Sequence, residues 1–164
     1  MCRRITVGLV ILFSVTFASA QIPTKGNIFF GYSYNSADFN GAGRANLNGW
    51  EGSLEGKVLP FVGIVADISG NYGVGDSLHN VIFGPQVSVP VGKFTPFAHA
   101  LVGVGHISGN ATSDTSLADA FGGGLDYRLF HVIGWRFQID ALQTRFFSQT
   151  QNDVRVSTGI VLHF

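Results

Sequence analysis

The residues best equipped for chemistry are His106, Ser108 and Asp119. In His106-Ile107-Ser108 an imidazole and a hydroxyl stand two positions apart, and on a strand such residues face the same way. A histidine so placed can take the proton of a serine hydroxyl and turn it into a nucleophile, provided an acid holds the ring in position. Asp119, on the segment that follows, is the candidate acid. The plainer reading is that a strand end entering a polar stretch carries His and Ser for solvation. Gly122-Gly123-Gly124 is no phosphate cradle, because no helix signal follows it. His79, His99, His131 and His163 lack metal-ligand spacing, and His99 and His106 fall on opposite faces of one strand. They read as ordinary polar or rim residues, and neither a metal nor a cofactor is expected.

Whatever these groups do, strands must position them. In Val154 to Phe164 every second side chain is apolar or methyl-bearing (Val154, Val156, Thr158, Ile160, Leu162, Phe164), a period of two. Its length suits a tilted membrane-spanning strand of roughly 9–11 residues. The same alternation gives strands over 27–34, 49–59, 62–72, 79–89, 95–107, 117–129 and 135–145. In 95–107 both alternate sets are mostly apolar, so its facing stays open. Pro85 cannot donate to a ladder, and a bulge is expected there. Glycines 122–124 make room for long side chains from neighbouring strands, or permit a bend. The connections alternate: short turns at Pro60-Phe61, Pro90 to Phe94 and 130–134, and longer polar loops at Asn35 to Asn48, Gly73 to Leu78, Ser108 to Ser116 and Phe146 to Asp153. Short turns at one end and longer loops at the other are how outer-membrane barrels are built.

Composition narrows the class. Arg3 and Arg4, the apolar run Ile5 to Phe17 and Ala18-Ser19-Ala20 form a secretory signal peptide over 1–20, ahead of a domain at 21–164. Cys2 would leave with the signal, which excludes disulfides and thiolate chemistry from the processed chain. Of ten Lys/Arg, removal of Arg3 and Arg4 leaves eight against ten Asp/Glu, so no basic face offers itself to nucleic acid. After the signal no run of 18 apolar residues occurs, so an exported, aromatic-rich chain must cross a membrane, if it does, as a closed barrel.

Charge decides which face meets lipid. Glu51, Glu55, Lys57, Asp67, Asp126, Arg128, Arg136, Asp140 and Arg155 share one phase of the alternation. Facing lipid, each basic member near the midplane would cost about 2–4 kcal/mol. Facing inward, five acids and four bases can pair, in an eight-stranded interior just wide enough to be filled by side chains, so no sizeable pore is expected. Asp119 and Arg145 fall on the lipid phase, close to loops. Tyr32, Tyr34, Trp50, Tyr72 and Phe146 gather toward the long-loop ends and Phe61, Phe94, Phe97, Phe130, Trp135 and Phe164 toward the short-turn ends, as two interfacial belts. The reading is therefore an all-β, eight-stranded antiparallel up-and-down transmembrane β-barrel.

Taken together, Gly49-Trp50, VADISGNYG (65–73), FGPQVSV (83–89), PFAHALVGVGHIS (96–108), FGGGLDYR (121–128) and RVSTGIVLHF (155–164) resemble the bacterial outer-membrane protein β-barrel domain family, small barrels related in shape to OmpA and OmpX. The resemblance covers the whole processed chain and implies fold and location more than an activity. It implies a non-enzymatic monomer in the bacterial outer membrane with both termini periplasmic, outer-membrane lipids as surroundings, and recognition of the terminal strand ending in Phe164 by the barrel assembly machinery. A periplasmic domain like that of full-length OmpA is not expected after Phe164. Function would then be structural, adhesive or small-porin-like, with 35–48 and 108–116 as the exposed loops; Asn110-Ala111-Thr112 is an uninformative acceptor match. The alternative is lipid A deacylation by His106, Ser108 and Asp119, whose His-x-Ser is similar to that of the deacylase barrels. Two departures stand against it: the acid is Asp instead of Glu, and the pair lies far from the final strand.

Overall fold

The computed structural model describes residues 25–38, 44–73, 76–109, 113–144 and 151–164. Eight strands follow one another: β1 Gly26–Asp38, β2 Arg44–Lys57, β3 Val62–Tyr72, β4 Asp76–Ser88, β5 Phe94–Gly109, β6 Ser113–Arg128, β7 Ile133–Thr144 and β8 Gln151–His163. Each pairs antiparallel with its sequence neighbour, and β8 returns to pair with β1, closing the barrel. Closure leaves no strand edge with free N–H and C=O groups.

The register fixes the dimensions. From Val104 the ladder passes through Val81, Ile68, Gly52, Phe30, Ile160, Trp135 and Tyr127 and re-enters β5 at Phe94, ten residues from where it started. With eight strands, that displacement tilts them by roughly 40° and sets a backbone radius of about 8 Å. A bore this narrow holds side chains and little else.

Alternation sorts the residues as period two requires. Ile28, Phe30, Leu54, Ile64, Ile68, Val81, Phe83, Phe121, Ile139 and Ile160 are exposed on the outer wall, while polar and charged residues line the inside. Buried apolar groups form two clusters, Val65, Ile82, Leu101, Ala118, Ala120 and Leu142 in one, and Leu47, Leu78 and Ile107 nearer the long-loop end in the other, while Phe29 and Val161 are buried apart from both. This inverts a soluble protein, whose apolar residues face in.

Three expectations are corrected here. The strands run further at the long-loop end: β1 and β2 stay in register from Asn35↔Leu47 to Asp38↔Arg44, and β5 and β6 from His106↔Thr115 to Ser108↔Ser113. The strand bounds leave only 39–43, 73–75, 110–112 and 145–150 between them, so the long and short connections no longer differ greatly in length. Apolar alternation stops where lipid contact would stop, but backbone pairing needs no apolar side chains and continues.

At Pro85 there is no bulge. Phe83↔Val102 and Gln86↔His99 obey the same register, so no extra residue is inserted. Pro85 itself pairs with Ile64 on the β3 side, so only the rungs between Gly84-Pro85 and Ala100-Leu101 are missing. Phe97 is the third correction: it is 6% exposed and lies inside the barrel, not in the outer belt.

The short turns are tight. Val91 N–H donates to Phe94 O at 2.7 Å and Phe94 N–H to Val91 O at 3.1 Å, closing a two-residue connection in which Gly92 adopts φ +62°. That left-handed conformation is why glycine stands there.

Candidate functional site

The polar interior is built in two levels. The level nearer the long-loop end centres on Arg155 of β8, which is fully buried. Its Nη1 donates to Asp67 Oδ1 at 3.0 Å and Ser69 Oγ at 3.1 Å, its Nη2 to Asp140 Oδ2 at 2.6 Å, and its Nε to Asp140 Oδ2 at 3.0 Å. Glu51 Oε2 lies 3.3 Å from the same Nε. Glu51 also accepts from Gln138 Nε2 at 2.9 Å and from the Ser157 hydroxyl, and Gln138 donates on to Asp140 at 2.8 Å. One guanidinium with donors in a rigid fork thus serves carboxylates from β2, β3 and β7.

The second level, toward the short turns, centres on Arg136 of β7. Its Nε and Nη2 reach the two oxygens of Asp126 at 2.6 and 2.8 Å, a bidentate pair. Nη2 also donates to Asn27 Oδ1 at 3.1 Å. Phe97 and Phe29 flank the guanidinium, with centroids 4.5 and 5.2 Å from Cζ. Glu55 completes this level, accepting from Asn27 Nδ2 and lying 3.3 Å from Lys57 Nζ. Ions removed from water are tolerable only when each is paired and hydrogen-bonded, a condition both levels meet.

Of the nine charged residues expected inside, Glu51, Glu55, Asp67, Asp126, Arg136, Asp140 and Arg155 are buried. Lys57 is part-exposed at the end of its strand and also donates to Ser88 Oγ. Arg128, on the same phase, is exposed at the mouth. His99, on sequence grounds an ordinary polar or rim residue, is instead part of the buried network, with Nε2 2.8 Å from Asp140 Oδ1 and Nδ1 3.3 Å from Gln86 Oε1. Asn27, Ser69, Gln86, Gln138 and Ser157 belong to the network too. For Ser69, Gln138 and Ser157 the available signal is the phase they share with a charged residue of the same strand, whereas Asn27 and Gln86 lie on strands that carry none of the nine.

The outer aromatics Trp50, Tyr32, Tyr72, Phe61, Phe94, Phe130, Trp135 and Phe164 are exposed, and Tyr34 is half-buried. Trp50 is the seventh of fourteen residues in β2, so the belt toward the long loops lies near mid-strand and polar strand continues past it. Phe146 and Arg145 lie outside the described residues.

The geometry does not assemble His106, Ser108 and Asp119. His106 is exposed on the outer face and its Nδ1 lies 2.7 Å from Thr115 Oγ1. Asp119 pairs with Val102, four residues down the strand from Thr115, which puts it about 13 Å from the histidine. Among the described residues no group of three His, Cys, Asp or Glu is arranged to hold a metal ion.

Comparison with solved structures places the fold among small outer-membrane barrels. Neisserial surface protein A matches with a TM-score of 0.72 at 10% identity, over 85% of this chain and 97% of that one. The N-terminal β-barrel domain of Pseudomonas aeruginosa OprF gives 0.63 at 13% over 85% and 97%, and Ail, the attachment invasion locus protein of Yersinia pestis, gives 0.61 at 14% over 85% and 98%. The architecture is therefore that of the eight-stranded outer-membrane barrels. No protein-family model matches the sequence, and no curated protein does.

Proposed function

We propose that the chain is a non-enzymatic integral protein of the bacterial outer membrane, exported by a signal peptide at 1–20 and set in the bilayer with both ends of its processed chain on the periplasmic side. A closed barrel with an apolar outer wall and fully paired ions within carries this reading: only lipid gives such an exterior a favourable surrounding. Its role is structural or adhesive, with lipids around the wall and the terminal strand ending in Phe164 as the segment presented to the assembly machinery. The adhesive part is supported by likeness to a barrel named for attachment and invasion, and by strands that continue beyond the aromatic residues. The side chains of Arg136, Arg155, Phe29 and Leu101 occupy the bore, which argues against a large steady conductance.

The test is to express the full chain in a Gram-negative host, fractionate the envelope and run the outer-membrane fraction on detergent gels with and without boiling. A band that shifts on heating and tracks with the outer membrane is expected. Recovery in the soluble fraction would defeat the proposal. Lipid A deacylation has no assembled catalytic group to support it, and His106→Ala is expected to leave the lipid A acyl profile unchanged.

A further inference from the structure

At the short-turn end the barrel opens into a cavity of about 290 Å³ lined by Lys25, Lys57, Arg128 and His163 and, deeper, by Gln86, Asp126 and Glu55. The four basic residues are far apart in sequence. Lys25 adjoins β1, Lys57 ends β2, Arg128 ends β6 and His163 ends β8, and each is the last residue of its strand's inward phase. Closure of the sheet therefore brings them to one level at the mouth.

The acids just beneath are already engaged. Asp126 holds Arg136 through two bonds, and Glu55 holds Asn27 and Lys57. Lys25 and Arg128 are exposed and have no ion pair or side-chain hydrogen bond with other described residues. At the floor, Gln86 is 1% exposed, and its Oε1 is used by His99 while its Nε2 has no partner among the described residues. A buried N–H without an acceptor is costly, and such groups are nearly always satisfied. Two uncompensated cations and an orphaned amide donor thus converge on one cavity. A ligand that answers all three carries negative charge and several acceptor oxygens.

We propose that this mouth binds a small anion of the phosphate class, held by Arg128 and Lys25 at the rim and by the Nε2 of Gln86 from below. A planar guanidinium suits two phosphate oxygens at once, and the ammonium group acts as a point charge. Free phosphate compounds and phospholipid headgroups share this chemistry. The charged and amide groups of the cavity all come from the inward phase of their strands, inside the ring, so the free ion is the occupant assigned.

The experiment uses the full chain folded in maltoside micelles, which contain no phosphate, with pyrophosphate titrated calorimetrically against a chloride background. Saturable one-to-one binding is expected, weakened about tenfold or more by Arg128→Gln and by Gln86→Leu. Lys93→Gln, a charge change in the neighbouring turn outside the cavity, should leave it unaltered. Heat-shifted migration on gels verifies that each variant is folded, and Lys25→Gln, at an exposed residue whose side chain has no partner among the described residues, serves in place of any that is not. Absence of saturable binding, an equal loss in Lys93→Gln, or binding of micellar phosphatidylglycerol but not of pyrophosphate would each overturn the assignment.

Discussion

The guanidinium of Arg136 lies 4.5 Å from the ring centroid of Phe97, inside the barrel, with Phe29 on another side at 5.2 Å. The aromatic face supplies both packing and attraction for a cation taken out of water. Phe97→Ala should therefore destabilise the folded barrel by about 3–5 kcal/mol, as large aromatic truncations in cores do. Phe94→Ala, at a half-exposed outer ring, should cost clearly less. Denaturant unfolding in micelles, followed by tryptophan fluorescence, compares the two; equal losses would contradict the placement of Phe97.

Arg155 is the shared partner of Asp67, Asp140 and Glu51. Arg155→Met would leave three buried carboxylates without their cation. Removing one member of a buried ion pair costs about 3–5 kcal/mol, and here the loss should sit at the upper end of that range or prevent folding. Arg155→Lys keeps the charge without the fork and should fall between Met and the parent chain in the same unfolding measurement.

Glycines on the ladder differ sharply in what they permit. A Cβ at Gly122 would collide with Asp140 Oδ1 and Ile139 O, displacing an acid that serves both Arg155 and His99. At Gly52 the nearest atoms would be at 3.8 and 3.9 Å, ordinary contact. Gly122→Ala should destabilise by about 1–3 kcal/mol, whereas Gly52→Ala should change stability by no more than about 0.5 kcal/mol. Thermal or urea midpoints of the two variants provide the check.

Ile139 lies midway along β7 on the outer wall and is 48% exposed. Ile139→Arg in lipid vesicles should cost about 2–4 kcal/mol if that wall faces acyl chains. An unchanged unfolding midpoint in vesicles would mean that this wall is wet.

Much of this was legible in the sequence because period two and charge act together. Once Arg136, Gln138 and Asp140 share a phase, Phe137 and Ile139 must take the other, and the inside and outside of β7 are settled. On β5 the same reasoning fails at Phe97, because both alternate sets are apolar and an aromatic facing inward is explained only by a cation from β7. His99 is misread for a related cause: its partner Asp140 is 41 residues away, and the distance between strands around a barrel is set by register, which a linear pattern does not contain. The loops look longer in the sequence than they are because polar Asn, Ser and Gly residues mask pairing that continues without apolar side chains. Pro85 pointed to a bulge, yet losing two rungs costs less rearrangement than inserting a residue and rotating every side chain beyond it.

Arg155, at the centre of the ionic level nearer the long-loop end, also bears on how the cylinder closes. Greasy alternation forbids β8 from sliding by one residue against β1 or β7, since that would turn its whole outer set inward. A slide by two preserves the alternation and so passes that test. It would, however, carry the Arg155 side chain about 7 Å from carboxylates on three other strands, leaving both signs of charge buried without their partners. The seam joining the first and last strands is thus proofread by electrostatics at the one step where hydrophobicity cannot tell right from wrong.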